Sequence, residues 1–162
     1  MKSIIKIICI GIFLSLSVNL NAQNADFGNK VVTIDKPSSK SMGEFTEWTK
    51  MELVLEDGSK GEIEYRIALA NRKGIACHYQ VEVKNNTSAK LKLTFDSNYY
   101  DKLVKSHFGE KKQGTVKPGA IMEATLIAQG CKKEKGKELS DFENCMACDF
   151  FVDLYAMQLK SK

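Results

Sequence analysis

From residue 48 onward, hydrophobic and polar side chains alternate in short runs. Between Gly61 and Leu69, Ile63, Tyr65, Ile67 and Leu69 share one parity, and Glu62, Glu64 and Arg66 share the other. Successive side chains of a strand leave opposite faces, so the pattern predicts a strand with one buried and one solvated face. Met51, Leu53 and Leu55 alternate with Glu52, Val54 and Glu56 before an Asp57-Gly58 turn. Cys77, Tyr79, Val81 and Val83 alternate with His78, Gln80, Glu82 and Lys84, and Leu91, Leu93 and Phe95 alternate with Lys90, Lys92 and Thr94. The polar stretch Asn85-Asn-Thr-Ser88 between the last two runs predicts that they form a hairpin. Ala120 to Ala128 is apolar on both parities (Met122, Ala124 and Leu126; Ile121, Thr125 and Ile127), which predicts a central strand. Phe150, Val152, Leu154 and Ala156 mark a closing strand that runs to Leu159. Tyr100, Leu103, Val104, His107 and Phe108 instead fit helical spacing, with Gly109 as a C-terminal cap. Residues 97–108 are therefore expected to form a short helix or irregular crossover, with an edge strand as the alternative.

About seven strands separated by turns, with no βαβ alternation and no repeat, predict an all-β fold. The expected architecture is an antiparallel β-sandwich, immunoglobulin-like in the broad sense, with a small up-and-down β-barrel as the alternative. The strand and turn layout, including the Val116-Lys-Pro-Gly119 turn, resembles bacterial exported sandwich domains. Residues 47–162 read as one β-sandwich domain. Residues 23–46 read as a polar N-terminal segment with a candidate short strand at Lys30–Ile34.

The first 22 residues have a different character. Lys2 and Lys6 precede an apolar run from Ile7 to Val18, and Asn21-Ala22 precedes Gln23. A charged start, a short apolar stretch and a small residue at the cleavage point identify a secretory signal peptide over residues 1–22. The run is too short to cross a hydrocarbon core of about 30 Å as a helix. The Ala22-Gln23 junction resembles those of exported proteins of Gram-negative bacteria. A periplasmic or secreted protein is expected, with no membrane span after cleavage. The mature chain, Gln23 to Lys162, has 140 residues, and loss of two lysines lowers the formal net charge from +4 to +2. Arg66 and Arg72 are the only arginines. So weak a basic balance argues against nucleic acid as a partner.

Export gives the cysteines their meaning. Cleavage removes Cys9 and leaves Cys77, Cys131, Cys145 and Cys148, an even set in an oxidising compartment, which predicts two disulfides. Cys77 opens one strand, Cys131 follows another, and Cys145 and Cys148 precede the last, so antiparallel packing would gather all four at one end. The expected pairing joins Cys131 to Cys145 or Cys148, with the remaining one joined to Cys77. The alternatives are a zinc site made of the same four thiolates and thiol–disulfide exchange at Cys145-Met-Ala-Cys148. Ser140-x-x-Glu143 is a capping box, so this motif follows a short helix, whereas redox motifs of this spacing sit at helix N-termini.

The remaining polar residues offer little chemistry. Glu62 and Glu64 share a strand face beside Arg66 and read as a solvated surface, as does His78. Trp48, Tyr99 and Tyr100 are the candidate aromatic platform for a glycan or small ligand, with ordinary packing as their plainer role. No catalytic residue and no cofactor are implied. The sequence thus predicts an exported binding or structural accessory module whose partner is an unspecified protein or glycan. Its competitors are an aromatic glycan-binding site and an activity at the Cys-x-x-Cys end.

Overall fold

A computed structural model describes residues 28–38, 41–101, 103–129 and 140–160; the predicted signal peptide lies outside them. Eight strands are β1 (Asn29–Asp35), β2 (Thr49–Val54), β3 (Lys60–Lys73), β4 (Ala76–Asn85), β5 (Leu91–Asp101), β6 (Ser106–Val116), β7 (Ile121–Ala128) and β8 (Phe150–Gln158). One short helix, α1 (Asp141–Met146), precedes β8. The strands form two four-stranded sheets in the orders β1-β8-β5-β6 and β2-β3-β4-β7, with every pairing antiparallel.

The period-2 pattern decides what each sheet buries. Ile63, Ile67 and Leu69 of β3 meet Tyr79, Val81 and Val83 of β4, Leu91, Leu93 and Phe95 of β5, and Val152 and Leu154 of β8 in one core between the sheets. The parity of β3 holds up to a bulge between Leu69 and Asn71, where the register with β4 shifts. β1 forms the edge of its sheet against β8 and sends Ile34 into the core.

Four expectations are corrected. The sheets do not close into a barrel. β1 and β2 are unjoined edges, and β6 meets β7 through the Glu110 carboxylate, which accepts from the Ile127 N–H at 3.3 Å. β4 and β5 do not form a hairpin, because they belong to different sheets. The chain crosses over at Asn85, which is fully buried; its Nδ2 donates to the Ala89 carbonyl and its Oδ1 accepts from Thr87 N–H and Oγ1. An alternating pattern with a polar turn is shared by hairpins and inter-sheet arches, and here side-chain bonds inside the turn select the arch. β7 is an edge strand that pairs with β4 alone. Its second apolar parity is partly wet, with Ile121 half exposed.

Residues 97–108 are neither helix nor crossover. β5 and β6 pair without interruption from Leu91↔Val116 to Asp101↔Ser106, a long hairpin. Gly109 caps nothing; it lies opposite Asn98, where an added Cβ would stand 2.6 Å from the Ser97 carbonyl oxygen. The helical spacing was produced by apolar residues that sit at the hairpin tip and are not buried.

Candidate functional site

One end of the sandwich collects the unusual chemistry. The β3–β4 turn, the β5–β6 tip, the start of β8 and helix α1 all lie there, since Cys77 opens β4, Phe150 opens β8 and Tyr99 near the end of β5 pairs with Phe150. Cys77 and Cys145 form a disulfide with Cα atoms 5.6 Å apart, tying β4 to α1. Both residues are completely buried. Cys148 is disulfide-bonded as well, and its Sγ lies 3.9 Å from Cys77 Sγ. Cys131 lies outside the described residues.

Local sequence explains why α1 stops where it does. Ser140 Oγ accepts from Glu143 N–H at 3.2 Å, and Glu143 Oε2 accepts from Ser140 N–H at 2.7 Å, completing the capping box. These bonds hold the Glu143 carboxyl below the usual glutamate range. At the other terminus, Lys36 Nζ donates to the carbonyls of Met146 at 2.7 Å and Cys148 at 2.6 Å. A cation at a helix C-terminus satisfies carbonyls that have no helical partner. Lys36→Met is therefore expected to cost about 1 kcal/mol, read as a lower midpoint in urea. An unchanged midpoint would show that the contact contributes nothing. Arg72 Nη1, almost fully buried, pairs with Asp141 at 2.7 Å and anchors the first turn of α1 to β3.

Beneath the disulfide, Tyr79 stacks on Phe150 with centroids 3.9 Å apart and donates its hydroxyl to the Cys145 carbonyl at 2.8 Å. Burial raises the Tyr79 phenol well above its ordinary value of 10.0. A folded-state pKa above the unfolded one stabilises the fold fully below the unfolded value, and that contribution is lost as pH rises beyond it. Stability is expected to fall above pH 10, and Tyr79 to ionise only on unfolding. Tyrosinate absorbance followed through alkaline denaturation checks this: Tyr79→Phe should remove one late-titrating group. Five tyrosines all ionising before unfolding would contradict it.

The same end carries exposed apolar side chains. Ile75 in the β3–β4 turn is 51% exposed, and Leu103, Val104 and Phe108 around the hairpin tip are 45%, 61% and 44% exposed. The other large exposed hydrophobics among the described residues, Val54 and Ile121, lie at the opposite end of their strands. Asp101 Oδ1 fixes the tip by accepting from the N–H groups of Leu103 at 2.7 Å and Val104 at 3.3 Å.

The aromatic platform is not assembled. Trp48 precedes β2 on one sheet, whereas Tyr99 and Tyr100 lie on β5 of the other. Trp48 and Phe45 each place a ring 4.5 Å from the Arg66 guanidinium, which also pairs with Glu82 at 2.6 Å. Tyr99 packs against the core and near Phe108, while Tyr100, the next residue along the strand, sits on the other face beside His107. Glu62 and Glu64 are paired with Lys50, and Glu64 also with Lys84, as a solvated charged face. In the disulfide, Cys77 and Cys145 supply no thiolate, so the four-thiolate zinc set is not the state of this structure. Cys145-x-x-Cys148 does not close on itself, and the negative end of α1 faces it, which disfavours a reactive thiolate. A cleft of about 870 Å³ opens between the β1 and β2 edges, lined by Lys30, Val31, Leu53, Leu55 and Met157 among others. None of the three candidate aromatics lines it.

The apolar hairpin tip is the feature that sequence reasoning missed. Its signal was present: Asp101 begins a short turn in which Leu103 and Val104 are apolar where turns are usually polar.

No protein-family model matches the chain, and no curated protein matches it. Among solved structures it is similar to a DUF1425 family member from Shewanella sp. pv-4, with 8% identity, 74% of this chain and 100% of that chain covered, and a TM-score of 0.43. It is similar to the trimeric lipoprotein SadB of Salmonella enterica, with 14% identity, 79% of this chain covered and a TM-score of 0.43. It is also similar to the CBM22-1 and GH10 modules of a Clostridium thermocellum endo-1,4-beta-D-xylanase complexed with xylohexaose, with 12% identity, 68% of this chain covered and a TM-score of 0.35. The chain spans 59% of the length of that lipoprotein and 22% of that xylanase chain.

Proposed function

We propose that this is an exported binding or structural accessory module, not a catalyst, and that its disulfide-bonded end is its working surface. The observation that carries the reading is the exposure of Leu103, Val104 and Phe108 around the β5–β6 tip, with Ile75 exposed in the β3–β4 turn at the same end, where Cys77–Cys145 ties β4 to α1. Large exposed apolar groups gathered on one surface mark an interaction site, because water solvates them poorly. A disulfide supports export to a periplasmic or secreted location, since such bonds persist in oxidising compartments. The signal-peptide pattern over residues 1–22 supports the same address. We assign Cys131 to Cys148 as the second bond, which would close the polar loop before α1 and leave no mature cysteine unpaired. The side chains with catalytic potential are engaged elsewhere: Glu62 and Glu64 with lysines, and Cys77 and Cys145 with each other. A glycan- or small-ligand-binding reading would rest on the β1–β2 cleft, not on Trp48, Tyr99 and Tyr100.

Fractionation of expressing cells tests the reading. Leu103→Ser/Val104→Ser should move the folded protein from the envelope fraction to the soluble one, whereas Val54→Ser/Ile121→Ser at the opposite end should not. Equal behaviour of the two variants, or reduction of insulin disulfides by the purified protein, would overturn it.

A further inference from the structure

We propose that Cys77, Cys145 and Cys148 form a disulfide-exchange switch, in which the Cys148 thiolate, once freed by a dithiol reductant, displaces Cys145 from Cys77. The freeing step rests on the assignment of Cys131 as the partner of Cys148 made above. The exchange itself rests on the three buried sulfurs.

Cys148 Sγ lies 3.9 Å from Cys77 Sγ, in contact with a sulfur to which it is not bonded. Local structure produces this contact. Helix α1 ends at Met146, and the Cys148 N–H then donates to the Cys145 carbonyl at 3.0 Å. That turn brings the sulfurs of Cys145 and Cys148 to the same Cys77 at the start of β4. Thiol–disulfide exchange is attack of a thiolate on one sulfur of a disulfide, and access decides which sulfur is attacked. Cys77 and Cys145 are both fully buried, so the fold shields their bond from an external reductant. A thiolate at Cys148 is already inside that shield.

The dithiol gives two electrons to the Cys131–Cys148 bond, is itself oxidised to a disulfide, and leaves both cysteines reduced. Cys148 releases its proton to water and attacks Cys77 Sγ. The Cys77–Cys148 bond forms, the Cys77–Cys145 bond breaks, and Cys145 leaves as a thiolate that takes a proton from water. This second step moves no net electrons. Chain entropy hardly separates the two states, because the bonds span 68 and 71 residues and loop closure follows the logarithm of length. Their connections differ. Cys77–Cys145 ties β4 to α1, whereas Cys77–Cys148 would tie β4 in one sheet to the residues leading into β8 in the other. Exchange would thus leave α1 to its non-covalent contacts with Lys36, Arg72 and Tyr79 while the sheets stay linked. The negative end of α1 and the Asn144 carbonyl, 3.6 Å from Cys148 Sγ, oppose a thiolate and make the exchange slow. The Lys36 ammonium on the Met146 and Cys148 carbonyls offsets part of this. A slow single exchange suits a switch and not a turnover catalyst.

Alkylation and peptide mapping after limited treatment of the mature protein with dithiothreitol test the proposal. The expected product has a peptide pair linked through Cys77 and Cys148, with Cys131 and Cys145 alkylated. In Cys131→Ser, Cys148 is free without any reductant, so both Cys77–Cys145 and Cys77–Cys148 links should appear, in a ratio within about tenfold of unity because their loops match in length. Cys131→Ser/Cys148→Ser keeps the Cys77–Cys145 bond but lacks the internal nucleophile. It should lose that bond to dithiothreitol about tenfold more slowly than the wild type. In the exchanged form the Asn144 and Ala147 amides, which bond within α1, should lose protection from hydrogen exchange. A Cys131→Ser protein that holds only Cys77–Cys145, with Cys148 alkylated, would sink the proposal. So would a double variant reduced as fast as the wild type. An untreated wild type without a Cys131–Cys148 link overturns that assignment alone, since Cys131→Ser decides the exchange independently.

Discussion

Replacing Cys77 and Cys145 together by alanine is expected to lower the free energy of unfolding by about 4 kcal/mol. The bond closes a loop spanning 68 residues, from the start of β4 through β5, β6 and β7 to α1. In the chain-entropy description, closing a loop of that length in the unfolded chain removes conformational freedom equivalent to about 4 kcal/mol. Both sulfurs are buried, and removing both avoids leaving an unpaired thiol 3.9 Å from Cys148. Denaturation in guanidinium without reductant measures the effect. A loss under about 1 kcal/mol would mean that the unfolded chain is already compact across this loop, or that the bond is strained. Helix α1 should be the first element to lose protection from hydrogen exchange, because the non-covalent contacts of Lys36, Arg72 and Tyr79 would then hold it to the strands in place of the Cys77–Cys145 bond.

Asn85→Ala is expected to cost about 3 kcal/mol although no charge or large apolar side chain is lost. The Asn85 side chain is completely buried where β4 leaves one sheet and the chain enters the other. It donates to the carbonyls of Ala89 at 2.8 Å and Val116 at 3.4 Å, and accepts from Thr87 N–H at 3.0 Å and Thr87 Oγ1 at 2.7 Å. Alanine would leave several buried polar atoms without their partner, and each such loss costs about 1–3 kcal/mol. Asn85→Asp keeps the acceptor but sets a buried carboxylate oxygen against the Ala89 and Val116 carbonyls, so at neutral pH it should destabilise at least as much as alanine. If Asn85→Ala unfolds at the wild-type denaturant concentration, the arch is held by its flanking strands and not by this network.

These two residues show which features of the molecule were readable in the chain. Parity in β3, β4, β5 and β8 placed nearly every core residue correctly, because burial on one face is a local property of a strand. Which strands become neighbours is not local. The run of Asn85 to Ser88 reads as a hairpin turn, and only the partners of the Asn85 amide, Ala89 and Val116, reveal an arch between sheets. The apolar parity of β7 reads as central burial, but its partners leave it at an edge. At the disulfide end, the gathering of Cys77 and Cys145 followed from strand ends and turn positions. The exposed tip at Leu103 and Val104 escaped notice because a hydrophobic pattern reports apolar residues and not whether the fold covers them. There the usual link between hydrophobicity and burial breaks, which is expected where a surface is reserved for a partner.

The proposed function depends most on export and on disulfides that join strands and helix at one end of the sandwich. Peptide mapping of the mature protein without reduction, together with metal analysis, measures that directly. The predicted result is a chain beginning at Gln23, a linked pair of peptides containing Cys77 and Cys145, a second link between Cys131 and Cys148, and no bound zinc. Four free thiols with one zinc ion, or a disulfide closed between Cys145 and Cys148, would contradict it.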